Sequence, residues 1–240
     1  MGMHESRFQR SEQIAEGTMA FHFHKPAGFA FKPGQAVELI LNPSAQVGPN
    51  KVGHAFSLVS APFQDELVIA TRMRDSAFKR ALRELPLGTP VWIDGPFGSL
   101  TLHKKAARAA VFIAGGIGIT PFMSILRQAA QDRAQRRLVL LYSNRRPEDT
   151  PFLDELQSLL RSDPGFALHA TMTKMTQSAH AWNGATGVID AAMVQHAIAG
   201  LEHPAFYLAG PPAMVEAMKE VLSRAGVDED DIRSEDFLGY

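Results

Sequence analysis

A glycine-rich segment near the middle of the chain has the residue types and spacing of an anion-binding turn. It follows an apolar run typical of a buried strand, residues 109–113, and precedes a helical pattern, residues 122–131. Glycines let the backbone take positive φ and approach a ligand closely, and the N–H groups that open a helix attract negative charge such as a phosphate. A turn used only for packing is the alternative. The residues concerned are Gly115, Gly116, Gly118, Thr120, which can cap the helix, and Pro121, which suits its first turn.

Two further segments carry residue types that suit ligand contact. Residues 54–57 read His-Ala-Phe-Ser, and residues 209–212 read Ala-Gly-Pro-Pro. Together with the glycine turn they resemble the ferredoxin–NADP reductase family. Its flavin motif reads Arg-x-Tyr-Ser, and its nicotinamide motifs read Gly-Gly-x-Gly-x-Thr-Pro and Cys-Gly-Pro-Pro. The resemblance extends from Phe31 to Phe237, nearly the whole chain.

The resemblance implies a two-domain β plus α/β fold. Residues 1–105 are expected to form an N-terminal antiparallel β-barrel that holds FAD, and residues 106–240 a C-terminal Rossmann-like parallel sheet with flanking helices that holds NADPH or NADH. Hydride is then expected to pass from the nicotinamide to flavin N5 at the interface. Single electrons would leave to a separate ferredoxin, flavodoxin or oxygenase component.

On the flavin side, the resemblance gives each motif residue a role. Ser57 stands for the serine that hydrogen-bonds flavin N5, and Phe56 for the tyrosine that packs on the ring. His54 stands for the arginine that pairs with the diphosphate, but a neutral histidine lacks its permanent charge. Arg72 and Arg74 are the expected compensation, with solvated barrel surface as the alternative. The remaining predicted flavin contacts are Ala55, Thr71, Ser76 as a helix cap, Ala77 and Phe78.

On the nicotinamide side, Gly210, Pro211 and Pro212 match the family motif, whereas Ala209 replaces its cysteine. A second group of predicted contacts follows the next strand, where such folds meet the adenosine ribose. Arginines there favour the 2′-phosphate of NADPH, unless Glu148 or Asp149 pairs with them. This group comprises Ser143, Asn144, Arg145 and Arg146.

The C-terminal segment resembles the family's ending, in which an aromatic ring covers the flavin face. Phe237 is the preferred candidate and Tyr240 is its rival. Glu235 is then expected close to the nicotinamide, so we predict catalytic roles for Ser57, Glu235 and Phe237. A frayed terminus is the alternative.

The local patterns agree with this division of the chain. Residues 11–103 show short alternating runs between Gly and Pro turns, which predict an antiparallel barrel or sandwich with one helix at residues 77–85. After a boundary near residues 103–108, strand and helix patterns alternate, which predicts a doubly wound parallel sheet. The segment 173–187 is expected to be the longest loop.

Composition limits the classes of function. The 240 residues are 45% hydrophobic and carry a formal net charge of −1. This near-neutral charge does not indicate a basic surface for nucleic acid or a membrane. The chain has no cysteine, so it forms no disulfide and holds no Cys-ligated iron–sulfur cluster, and its nine histidines lack ligand spacing for a metal. With no apolar leader at the N-terminus, we expect a cytoplasmic protein.

We therefore predict a flavoprotein oxidoreductase that takes hydride from NAD(P)H. One alternative is the reductase component of an oxygenase system. An alternative from another class is a flavin-binding electron-bridging or regulatory subunit that does not turn over NAD(P)H.

Overall fold

The computed structural model describes residues 2–41 and 53–237. Its contacts separate the chain into two compact units. The first consists of Met1–Thr101 with Thr120–Gln128, and the second of Leu102–Ile119 with Ala129–Tyr240. Among the described helices, none is both long enough and apolar enough to cross a membrane.

The first unit is an antiparallel sheet of six strands. Its elements are β1 (Gly2–Ala15), β2 (Thr18–His24), β3 (Ala36–Ile40), β4 (Gly53–Ser57), β5 (Glu66–Arg72), α1 (Ala77–Arg83) and β6 (Pro90–Phe97). The strand order is β4-β3-β6-β1-β2-β5, so β4 and β5 are the two edges. Side chains on one face of the sheet form an apolar core that includes Phe21, Phe23, Leu39 and Ile69.

The two edge strands meet just after β4. Leu58 forms an antiparallel bridge with Ile69, and the Val59 N–H donates to the Val68 carbonyl at 2.8 Å. This pairing closes the sheet into a barrel, because the chain leaving β4 continues along β5. Of the two predicted architectures, barrel and sandwich, the barrel is confirmed.

The second unit is a parallel sheet of six strands with helices. Its elements are β7 (Ala110–Gly115), β8 (Leu138–Asn144), α3 (Leu153–Ser162), β9 (Phe166–Met172), β10 (Ala185–Thr186), α4 (Ala191–Ala197), β11 (Ala205–Gly210), α5 (Pro212–Arg224) and β12 (Ile232–Asp236). Helix α2 (Thr120–Gln131) follows β7. The strand order β10-β9-β8-β7-β11-β12 places β7 and β11 side by side, with every residue of both strands buried. Burial on both faces explains their unbroken apolar sequences.

Two strands extend beyond the sequence prediction. β1 begins at Gly2, within a polar stretch, because most of its side chains face solvent while its backbone pairs with β2 and β6. β12 lies in the C-terminal segment and pairs with β11, so the frayed-terminus alternative is wrong for residues 232–236. The predicted loop at 173–187 contains the two-residue strand β10.

Candidate functional site

The predicted flavin motif lies on β4, at the edge where the barrel closes. Ser57 is the last residue of β4 and is only 4% exposed. Its hydroxyl Oγ has no hydrogen-bond partner among the described residues. A buried hydroxyl without a partner costs stability, and a ligand that supplies a partner offsets this cost. The residue that the sequence assigns to flavin N5 therefore has unused hydrogen-bonding capacity.

Aromatic rings gather beside this strand. Phe78 of α1 is buried, and its ring centroid lies 4.1 Å from that of His54 and 6.0 Å from that of Phe56. Burial first, and then the positive charge of Lys79, hold the pKa of His54 below its ordinary value, against an opposing effect of Glu38. His54 is therefore a neutral aromatic ring at neutral pH. Ala55, between the two rings on β4, is exposed.

The start of α1 has the predicted cap. The Ser76 hydroxyl accepts a hydrogen bond from the Lys79 N–H at 3.2 Å, and Ala77 is the first helical residue. Arg72 is partly buried at the end of β5, with its Nε lacking a partner among the described residues, and Arg74 is exposed. Thr71 is buried on β5.

Lys79 is a residue that the sequence analysis missed. Its Nζ donates to the Arg72 carbonyl at 2.7 Å, which brings a third cation to the segment that carries Arg72 and Arg74. One signal was available in the sequence: a lysine three residues after a helix cap lies within the first turn, on the same side as the cap.

The glycine turn begins directly after β7. Gly116 has φ +53° and opens a 3₁₀ turn, Gly116–Ile119, which continues into α2 at Thr120. The expectation that Thr120 caps α2 is wrong, because the chain is already helical before it reaches this residue. Pro121 lies in the first turn of α2, as predicted. The turn still presents its backbone N–H groups at the carboxyl edge of the sheet, which suits an anion.

The two glycine motifs pack against each other. A Cβ on Gly118 would overlap the Ala209 carbonyl, and one on Gly115 would lie 2.5 Å from Met214 Sδ. Gly210 has φ +156°, and a Cβ there would come within 3.0 Å of the Gly115 backbone. Part of the glycine pattern is thus required for packing, whereas Gly116 favours glycine because its φ lies in the left-handed region. Pro211 and Pro212 follow as the N-cap and first residue of α5.

Tyr142 connects the glycine turn to the next loop. Its ring is fully buried on β8, and its hydroxyl lies 3.1 Å from the Gly116 carbonyl and 3.2 Å from the Pro151 carbonyl. The sequence analysis did not assign this tyrosine a role. A tyrosine is recognisable as a buried strand residue, but its hydroxyl partners depend on tertiary structure.

The four predicted coenzyme contacts at the end of β8 differ in burial and in their partners. Asn144 is 5% exposed, and neither Oδ1 nor Nδ2 has a partner among the described residues. Arg146 pairs with Asp149 through two contacts of 2.8 Å and with Glu148 at 3.3 Å. The alternative, pairing of Arg146 with these carboxylates, is therefore present in the structure, and contact of Arg146 with a 2′-phosphate stays a prediction. Arg145 is exposed and Ser143 is partly buried.

The C-terminal candidates lie beside the second glycine motif. Glu235 on β12 is the cross-strand neighbour of Ala209, and burial raises the pKa of its carboxyl. The Phe237 N–H donates to the Gly210 carbonyl at 3.0 Å, which fixes the backbone of this residue. The rival, Tyr240, lies outside the described residues.

The structure thus brings the predicted residues together in two groups, one in each unit. The β4 and α1 residues form the first group, and the ends of β7, β11 and β12 form the second. Within the described residues, no cluster of three or more His, Cys, Asp or Glu side chains has the arrangement of a metal site.

Comparison with known proteins agrees with this architecture. Residues 112–220 match the model of the oxidoreductase NAD-binding domain. The glycine betaine monooxygenase reductase subunit of Chromohalobacter salexigens is 28% identical over 223 residues, which cover 92% of this chain and 60% of that protein. The chain therefore spans about 60% of the length of this relative.

Solved structures match nearly the whole chain. The cytochrome P450 reductase GcoB of Amycolatopsis superposes with a TM-score of 0.82 at 24% identity, covering 98% of this chain and 70% of that one. A ferredoxin NADP+ reductase from Neisseria gonorrhoeae with bound FAD and NADP gives a TM-score of 0.80 at 22% identity, covering 98% of each. The fold is that of the ferredoxin–NADP reductase-like flavoprotein reductases, as the motifs predicted.

Proposed function

We propose that this protein is an NAD(P)H-dependent flavoprotein reductase that binds FAD in its first unit and the nicotinamide coenzyme in its second. The observation that carries the proposal is the buried Ser57 hydroxyl without a partner, at the motif position that such reductases use for flavin N5. The match of residues 112–220 to an oxidoreductase NAD-binding domain supports the coenzyme half. We assign the two ligands to the sequence ranges 1–105 and 106–240.

The residues present fit these ligands. Ser57 offers one hydrogen bond in a buried place, and Phe56 offers a ring face beside it. Gly116 and the 3₁₀ turn after it offer backbone N–H groups to a diphosphate, and the unpartnered Asn144 amide offers a donor and an acceptor at the same sheet edge. Bound flavin supplies the conversion between two-electron and one-electron chemistry.

Two further residues act on the nicotinamide side. Phe237, held by its backbone at Gly210, provides the ring that covers the flavin and restricts access of the nicotinamide. Glu235 holds a proton on its carboxyl more tightly than an exposed glutamate does, because it is partly buried next to Ala209. In its protonated form this carboxyl can donate a hydrogen bond to a carboxamide.

Single electrons pass to an acceptor outside these 240 residues. The 240 residues contain no cysteine and hence no Cys-ligated iron–sulfur cluster that could store them. Ferredoxin and flavodoxin are suitable one-electron acceptors. An oxygenase component is favoured by the name of the relative from Chromohalobacter salexigens, a monooxygenase reductase subunit. We place this reaction in the cytoplasm.

Absorbance spectroscopy of the purified protein tests the proposal. We expect a flavin spectrum after supply of FAD, and anaerobic bleaching on addition of NADPH or NADH. Protein that stays colourless with FAD would refute the flavoprotein assignment. A flavin spectrum that neither coenzyme bleaches would instead favour an electron-bridging subunit without NAD(P)H turnover.

A further inference from the structure

The end of β5 and the start of α1 carry three cations close together: Arg72, Arg74 and Lys79. Lys79 is held at its backbone and at the tip of its side chain. Its backbone N–H donates to Ser76 Oγ, and its side-chain Nζ donates to the Arg72 carbonyl at 2.7 Å. The ammonium group is therefore fixed at the end of β5, close to the Ser76 cap of α1.

No carboxylate among the described residues forms an ion pair with Lys79. The nearest acid in sequence, Asp75, pairs with Arg80 instead. Burial, and then the positive charge of Arg74, lower the pKa of Lys79, so its surroundings disfavour its charge. A partly buried cation beside a second cation is stabilised when an anion binds.

His54 does not supply that charge. Its ring lies on Phe78 with a centroid distance of 4.1 Å, and the nearby ammonium of Lys79 opposes protonation of the imidazole. Two groups thus lie near the position at which the family motif has an arginine. One is the ammonium group of Lys79 on α1, and the other is the aromatic ring of His54 on β4.

We propose that Lys79 supplies the positive charge that the diphosphate of FAD requires, and that His54 contributes an aromatic ring packed on Phe78. This inference rests on the proposed function and extends it by moving the cation from β4 to α1. Arg72, with a buried Nε that has no partner among the described residues, is placed to add a second contact.

Ligand binding to flavin-free protein tests this assignment without any turnover. Parent, Lys79→Gln, His54→Phe and Arg80→Gln proteins are titrated with FAD and with riboflavin, which lacks phosphate, and flavin fluorescence is recorded. Arg80→Gln is the matched control, since it removes a neighbouring exposed cation from the same helix.

We expect Lys79→Gln to raise the Kd for FAD about tenfold or more, and to leave the Kd for riboflavin nearly unchanged. The salt dependence of FAD binding should fall in the same variant, because one charge contact is lost. His54→Phe and Arg80→Gln should bind FAD like the parent. The double variant Lys79→Gln with His54→Arg, which returns a cation to β4, should recover affinity for FAD.

The opposite pattern overturns the inference. Parent-like FAD binding by Lys79→Gln would remove this residue from the diphosphate site, and a large loss in His54→Phe would return the role to His54. Equal loss of riboflavin and FAD in Lys79→Gln would indicate a structural effect rather than a phosphate contact. Failure of the parent to bind FAD would refute the proposed function itself.

Discussion

Ala209 and Glu235 are direct neighbours on adjacent parallel strands, the last two at one edge of the second sheet. Ala209 stands where the resembled family has a cysteine, and its side chain is too small and apolar to interact with the neighbouring carboxyl. Burial therefore acts on Glu235 without a compensating partner on that side, and it raises the pKa of the carboxyl. The pairing has a measurable consequence for stability.

We expect Glu235→Gln to change how stability depends on pH. A raised folded-state pKa means that the folded protein binds the proton more tightly than the unfolded chain does. The contribution of this group to the free energy of unfolding is complete below the ordinary pKa. It is lost as the pH rises through the raised folded-state pKa. The variant lacks this loss, so its Tm should gain on the parent as the pH rises above the ordinary glutamate pKa of about 4.3. A Tm difference that is constant over this range would contradict the assignment.

Ser57→Ala should slow flavin reduction while leaving FAD bound. The hydroxyl contributes a hydrogen bond at the reacting atom, so we expect the anaerobic single-turnover rate to fall about tenfold or more. Stability of the flavin-free protein should not fall, since the hydroxyl has no partner there.

Ser60→Ala is the matched control for this change. The Ser60 hydroxyl accepts a hydrogen bond from the Val68 N–H at 3.0 Å, so its removal should cost about 1–3 kcal/mol of stability. An unchanged reduction rate in Ser57→Ala would refute the catalytic role of this serine.

The two arginines after β8 should respond differently to substitution. Arg145→Ala should raise the KM for NADPH about tenfold and leave that for NADH nearly unchanged, because only NADPH carries the 2′-phosphate. Arg146→Ala should instead lower the Tm, since it leaves Asp149, a carboxylate 6% exposed, without its partner. Equal effects of Arg145→Ala on both coenzymes would exclude a phosphate contact.

Phe237→Ala removes a ring but keeps the backbone hydrogen bond to Gly210. If this ring covers the flavin, the variant should show a shifted flavin spectrum, faster reaction of reduced flavin with oxygen and an altered preference between NADPH and NADH. Deletion of residues 238–240 should leave all three properties unchanged. The reverse result would assign the covering ring to Tyr240, and the absence of change in both variants would refute a covering role for this tail.

The sequence predicted the fold where burial leaves a regular pattern. β7 and β11 are apolar throughout because both faces are covered, and the glycines at their ends identified the turns. The part of β1 before residue 11 was not recognised, because a strand whose side chains mostly face solvent carries little hydrophobic signal. β12 was not recognised either, since it has few buried side chains and depends on β11 for its hydrogen bonds.

Within the candidate sites, the residues were easier to predict than their partners. The sequence placed Arg146 near the coenzyme and left pairing with Asp149 open, and only the structure shows that this ion pair forms. The sequence analysis identified His54 as a departure from the family motif but did not find Lys79. This lysine lies 25 positions later, and α1 brings it to the end of β5. The position of Lys79 in the first turn after the Ser76 cap was visible in the sequence, but its approach to His54 is a long-range contact that leaves no local pattern.

The close packing of the two glycine motifs makes them a single unit for protein engineering. Since Gly118 faces the Ala209 carbonyl and Gly210 faces Gly115, a side chain introduced into either turn displaces the backbone of the other. A graft of the coenzyme loop from another reductase therefore has to exchange residues 115–118 together with residues 209–212. If Arg145 contacts the 2′-phosphate as predicted, coenzyme preference is better altered there, because this residue lies on the exposed loop after β8 and outside both turns.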